Sequence, residues 1–228
     1  MSILSIFGVK PSASALLKAQ KFGKTKEQKD VIDFFASGGK SGGCLSSNMD
    51  IAEYIELVER KANSIDFKAR AMGKIGIDED QISEIEPICL TNFRFASDCY
   101  SVVERIDNEV YAVSNEFSVA WLFFSESQMY VYTYIFDMMS NNVGEYVREY
   151  FYTDITCFRT VHHVVERIMT DAKGCGCSSK PIHADYDTDS LYITVPGEDY
   201  SISIRNSQES MNSIYAARAF VREKKYRA

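Results

Sequence analysis

At 228 residues the chain has room for one large domain, or one ordinary domain with an appendage. Its 46% hydrophobic and 25% charged residues are those of a folded globular protein and exclude global disorder. A net charge of −7 excludes a dedicated nucleic-acid binder, which needs clustered Lys and Arg to neutralise phosphates.

The charge is unevenly spread. Residues 1–40 carry seven Lys against three acids, and residues 205–228 six basic side chains against two acids, while residues 78–116 hold ten acids and two Arg. Basic ends and an acidic middle allow self-association by opposite charges, or simply make solvated faces. Met1 to Val9 is too short and too poor in basic residues for a secretory signal. No apolar run approaches the ~18 residues of a membrane span. The expectation is a cytoplasmic protein whose six cysteines stay reduced, with membrane association not expected.

In chain order, residues 13–36 read as helix in two pieces, with Thr25 and Gln28 spaced as a capping box. The stretch Phe34 to Ser47, FFASGGKSGGCLSS, contains Gly39-Lys40-Ser41, the end of a phosphate-binding loop. Its opening position is Phe34 rather than Gly, a helix rather than a strand precedes it, and Gly42-Gly43 disfavours a helix after it. Without strand–loop–helix geometry the backbone amides are not aimed at one phosphate, so residues 37–47 read as a Gly/Ser hinge.

Asp50 and Glu53 form a second capping box. Apolar residues recur at helical spacing through Ile51, Tyr54, Ile55, Val58, Ala62, Ile65, Ala69 and Met72, with stop signals at Gly73 and Gly76. This predicts one long amphipathic helix, on the order of 35–40 Å at 1.5 Å per residue. Its stripe must lie on its own chain or on a second copy. Asp78 and Gln81 start a short third helix that Pro87 closes.

From residue 88 the period changes to two. Strands are predicted over 88–95, 109–113, 117–124, 128–136, 146–152, 155–165, 191–195 and 200–204, with a turn at Pro196-Gly197. In the third of these, Phe117, Val119, Trp121 and Phe123 share a face. A final helix is capped by Ser207, with Met211, Ile214, Tyr215, Arg218 and Val221 as its inner stripe.

The segments Gly144–Thr156 (GEYVREYFYTDIT), Ser201–Lys225 (SISIRNSQESMNSIYAARAFVREKK) and Asn115–Asp137 (NEFSVAWLFFSESQMYVYTYIFD) resemble bacterial pleckstrin-homology-like domains of a cytoplasmic family. The resemblance covers residues 88–228 and implies an antiparallel barrel of about seven strands capped by the C-terminal helix. The fold expectation is therefore α+β: helical residues 1–87 with a hinge at 37–47, then a pleckstrin-homology-like domain over 88–228. Eukaryotic relatives that bind inositol phosphates carry basic residues around the first hairpin loop. Here Ala96 to Glu116 holds Asp98, Glu104, Asp107, Glu109 and Glu116 against Arg105, so a phosphoinositide is not expected there.

Chemistry-bearing motifs are sparse. Cys175, Cys177 and His183 supply three ligands of the four that a closed zinc site needs, and read more simply as a Gly-rich turn with two thiols. Asp185 to Asp189 lacks the Gly and Glu of a calcium loop. His162 and His163 point to opposite faces of one strand. No Gly-x-Ser-x-Gly is present, and no cofactor, metal or catalytic residue is assigned. Arg222, Lys224, Lys225 and Arg227 suit the dipole of the last helical turn, or an acidic surface.

The aromatic pattern is more pointed. Tyr130, Tyr132, Tyr134, Tyr146, Tyr150 and Tyr152 occupy even positions in two successive strands. If Phe136 pairs with Tyr146, all six share one face with Arg148, opposite a core face of Met129, Val131, Ile135, Val147 and Phe151. Tyrosine is enriched at interfaces. The face is covered either by the long helix or by another protein. The functional expectation is a non-enzymatic binding or scaffold module acting through protein contacts, self-association included. A small-ligand binder or enzyme using the barrel mouth or the Cys/His loop is the alternative, and membrane association through the basic termini a second one.

Overall fold

The computed structural model describes residues 20–39, 49–82, 85–106, 109–171, 180–205 and 207–227. Residues 40–47 of the expected hinge lie outside these, as do the side chains of Cys175, Cys177 and His183.

Three short helices open the described chain: α1 (Lys26–Ser37), α2 (Ile51–Asn63) and α3 (Phe67–Ile75). Both expected capping boxes form, with Thr25 accepting from the Gln28 amide and Asp50 from the Glu53 amide. Gly38 closes α1 in the left-handed conformation at φ 69°. Gly39 follows at φ 82° and lies so close to residues 101–106 that a Cβ would sit 2.6 Å from Val102 Cγ1. The described start of the expected hinge thus lies against Val102.

The single long helix is corrected to two. Ser64 ends α2, and Asp66 starts α3 by accepting from the Ala69 amide at 3.0 Å. The apolar stripe stays in phase across this break, which is why periodicity alone ran through it.

Nine strands follow: β1 (Ile88–Phe93), β2 (Ser101–Ile106), β3 (Glu109–Ser114), β4 (Glu116–Phe124), β5 (Gln128–Asp137), β6 (Val143–Phe151), β7 (Cys157–Asp171), β8 (Lys180–Val195) and β9 (Glu198–Ile204). They form three antiparallel sheets, ordered β1-β4-β5-β6, β2-β3 and β7-β8-β9, rather than one closed barrel. Beside β1, the Asn92 amide donates to the Ile204 carbonyl of β9 at 2.7 Å, a side-chain bond in place of a ladder. The acidic connection expected over 96–116 is itself the β2-β3 hairpin. The chain ends in α4 (Gln208–Arg227), capped by Ser207 as expected.

The four-stranded sheet is the middle layer. One face carries Phe93, Phe117, Val119, Phe123, Tyr132, Tyr134 and Phe136 against Val31, Phe34, Tyr54, Val58 and Ala71 of the helices. The other carries Leu90, Ala120, Leu122, Phe124, Met129 and Val131 against Leu191, Ile193, Ile202 and Ile204, with Ile214, Ala217 and Val221 of α4. Burial on both faces explains why β4 reads as a nearly unbroken apolar run rather than an alternation. Among the described residues, no helix is long and apolar enough to cross a membrane.

Candidate functional site

The β5-β6 register decides where the tyrosines go. Phe136 pairs with Val143, Tyr132 with Val147 and Tyr130 with Glu149, three residues from the expected pairing. An odd shift moves a strand's side chains to the opposite face. Its cause is the turn after β5. Asp137 accepts from the Met139 amide and from Ser140 Oγ, its own amide donates to the Asn142 carbonyl, and Met138 and Met139 are buried beneath. That tight turn starts β6 at Val143.

The shared six-tyrosine face is therefore corrected. Tyr130, Tyr132 and Tyr134 face the helices, with Tyr132 and Tyr134 buried there. The Phe67 ring lies 5.2 Å from that of Tyr134, and the Arg70 guanidinium 5.1 Å above it. Tyr146, Arg148 and Tyr150 lie on the opposite face, paired with Thr133, Val131 and Met129. Tyr152 falls just after β6, buried, donating to the Ser125 carbonyl at 2.8 Å. Cover by the same chain is what Tyr132 and Tyr134 receive.

Two arrangements remain around β6. The first is a cleft of about 420 Å³ between the sheets, lined by Arg94, Ser118, Thr133, Tyr146, Arg148 and Tyr200 among others. It lies on the face of the middle sheet that α4 also serves, beyond the core residues that α4 covers. Arg148 Nε donates to Glu198 at 2.7 Å, and its guanidinium stacks 4.0 Å from the Tyr200 ring centroid. The Tyr200 hydroxyl is 2.5 Å from Thr133 Oγ1, and burial raises its pKa. Arg94 is held by Glu116. Both guanidiniums are already neutralised, so the cleft is a polar, hydroxyl-lined space rather than an anion trap. Size puts it within the ~300–1,000 Å³ of small-molecule sites.

The second is the edge of the middle sheet. β6 pairs with β5 on one side, and no described strand lies on its other side. Alternate backbone groups therefore face outward with no strand partner among the described residues, a template for another strand. Along it Val143, Tyr146, Val147 and Phe151 are 52%, 48%, 36% and 56% exposed, four of the ten large apolar side chains exposed among the described residues. No Pro or Lys blunts it. The Tyr146 ring folds back over Gly144, where a Cβ would come within 2.9 Å of it.

The strand is anchored from behind. Glu145 accepts from Arg70 Nε at 2.8 Å and from Tyr132 at 2.7 Å, with Lys74 at 3.6 Å. The Arg70 hydrogen bonds hold the Glu145 carboxyl at about 2, so it is an anion at any pH near neutrality. Burial, with Glu145 beside it, pushes the Tyr132 phenol up.

His162 Nδ1 lies 2.8 Å from Asp189 across β7-β8, away from the cleft lining. Among the described residues, no three His, Cys, Asp or Glu side chains cluster as a metal site. At the C-terminus Lys225 donates to the Ile155 carbonyl and Arg227 pairs with Glu223, so two of the basic groups there are engaged within the chain.

Sequence reasoning named Tyr146 and Arg148 but missed Arg94, Thr133 and Tyr200, which come to the cleft from just past the end of β1, from β5 and from β9. No protein-family model, curated protein or solved structure matches the chain.

Proposed function

We propose that this chain is a non-enzymatic, cytoplasmic binding module that acts through protein contacts, with the free edge of β6 as its recognition surface. The observation that carries the reading is the concentration of exposed apolar side chains on one edge strand. Strand addition at such an edge gains affinity from main-chain hydrogen bonds and specificity from alternate side chains. The order of a four-stranded sheet, a three-stranded sheet and a terminal helix supports the pleckstrin-homology-like reading, with β2-β3 as an insertion in the first connection. The free thiols of Cys89, Cys99 and Cys157 suit a reducing compartment.

A small-ligand site in the cleft is the second reading, favoured by its volume and its convergent hydroxyls.

The test replaces Tyr146 with a photo-cross-linking phenylalanine analogue, in purified protein and in an extract of the source cells. Tyr226, 83% exposed on α4, serves as the control position. The expected result is a covalent protein adduct at position 146 well above that at 226. An adduct yield at 146 no greater than at 226 contradicts the reading.

A further inference from the structure

We infer that the partner of β6 is a second copy of this chain, paired antiparallel about a two-fold axis that passes through Val147. The inference rests on the proposed strand-addition reading and adds to it the identity of the partner and the register.

The argument begins with the strand itself, Val143-Gly-Glu-Tyr-Val-Arg-Glu-Tyr-Phe151. An isologous antiparallel contact sets residue i opposite residue j and j opposite i. Centred on Val147, all nine residues of the strand find partners, and any other centre leaves residues of β6 overhanging. In that register Val143 meets the partner's Phe151, Glu145 meets the partner's Glu149, Tyr146 meets the partner's Arg148, and Val147 meets its own copy. Gly144 meets the partner's Tyr150, a residue buried in the core of its own chain.

Each face of the extended sheet is then satisfied. On the face toward the helices, Val147 and its copy form an apolar centre, and the Val143–Phe151 pairs form the two ends. Between them a Glu145–Glu149 contact would be repulsive in a bare sheet. Here Arg70 and Lys74 already stand over Glu145, and the Lys74 side chain is 55% exposed, which leaves it room to reach a second carboxylate. Two cations against two carboxylates balance the site. On the other face Arg148 already lies 5.8 Å from the Tyr146 ring of its own chain. Pairing sets two tyrosines and two arginines in alternation, an arrangement in which each guanidinium faces ring surfaces. Apolar surface and charge agree on one symmetric register.

A residue that faces itself across a two-fold gives a direct test. In sedimentation equilibrium the full chain is expected to reach twice its 25.9-kDa mass. Val147→Lys and Val147→Glu each place like charges in contact, and each is expected to weaken self-association at least ~100-fold. Mixed in equal amounts, the two variants are expected to form a 1:1 dimer with most of the original affinity restored. Circular dichroism of each variant confirms folding, since Val147 is a partly exposed edge residue. A wild-type chain that stays monomeric up to ~1 mM overturns the inference, as does a dimer that both substitutions leave intact or a mixture that fails to associate. The cross-link at position 146 separates the two failures. An adduct with a different protein leaves strand addition standing and removes the self-partner, whereas no adduct removes both.

Discussion

Replacing Tyr54 with alanine is expected to lower the unfolding free energy by about 4 kcal/mol, within the ~3–5 kcal/mol range of buried aromatic truncations. Tyr54 is fully buried where α1 and α2 meet the middle sheet. Its ring stacks on Phe34 at 4.9 Å, meets Phe35 edge-on at 5.3 Å and lies 6.0 Å from Phe93. Its hydroxyl donates to the Ser114 carbonyl at 2.6 Å, tying α2 to the end of β3. Alanine removes the ring from all three neighbours and leaves a cavity that helices capped on both sides cannot readily collapse. Tyr54→Phe keeps the ring and gives up one hydrogen bond, so its expected cost is about 1 kcal/mol. Against a total stability of roughly 5–15 kcal/mol, the alanine change consumes a large fraction. Urea denaturation of both variants checks the pair. A loss below ~1 kcal/mol for Tyr54→Ala would mean that the helices do not cover this face.

The second large effect lies on the opposite face. Phe124→Ala is expected to cost about 4 kcal/mol as well, through a different layer. Phe124 is fully buried with Leu122 and Met129, and its ring meets Phe220 of α4 at 5.7 Å and 81°. Phe220 also meets Tyr152 at 5.8 Å, so one aromatic of α4 is held by two from the sheet region. Hydrogen exchange distinguishes the two variants beyond their shared loss of stability. Phe124→Ala is expected to speed exchange in α4 most, and Tyr54→Ala in α1 and α2. Equal acceleration of both layers in both variants would contradict a sheet with two independently packed faces.

What was legible in the sequence was local. Thr25 with Gln28 and Asp50 with Glu53 mark helix starts because the cap and its return bond lie three residues apart. Phe117, Val119, Trp121 and Phe123 were placed together because a strand has a fixed period of two, and their partners Phe136, Tyr134, Tyr132 and Tyr130 confirm it. The α2-α3 break was missed although Asp66 carries a cap signal, because Ala62, Ile65, Ala69 and Met72 keep the stripe in phase across it.

The β6 register was out of reach for a different reason. It depends on how Asp137 folds the turn over Met138 and Met139, and a three-residue difference there inverts the face of every β6 side chain. In the β7-β8 hairpin the first strand was read to residue 165 but the second only from residue 191, because the outer part of β8, through Asp185, Asp187 and Asp189, carries acids in place of an apolar alternation. Whether a strand is an edge is a property of sheet order, which no window of sequence contains. The tyrosines drew attention to β6, but its edge position and exposed valines are what the proposal of strand addition rests on.

Residue-resolved amide exchange across a dilution series tests that central claim most directly. Within β6 the amides bonded to β5 should be protected at every concentration, and the alternate, outward-facing ones should be unprotected in dilute protein and gain protection as the concentration rises. Outward amides already protected in dilute protein would contradict β6 as an open edge, and outward amides that exchange at the same rate at every concentration would contradict its pairing with a second copy.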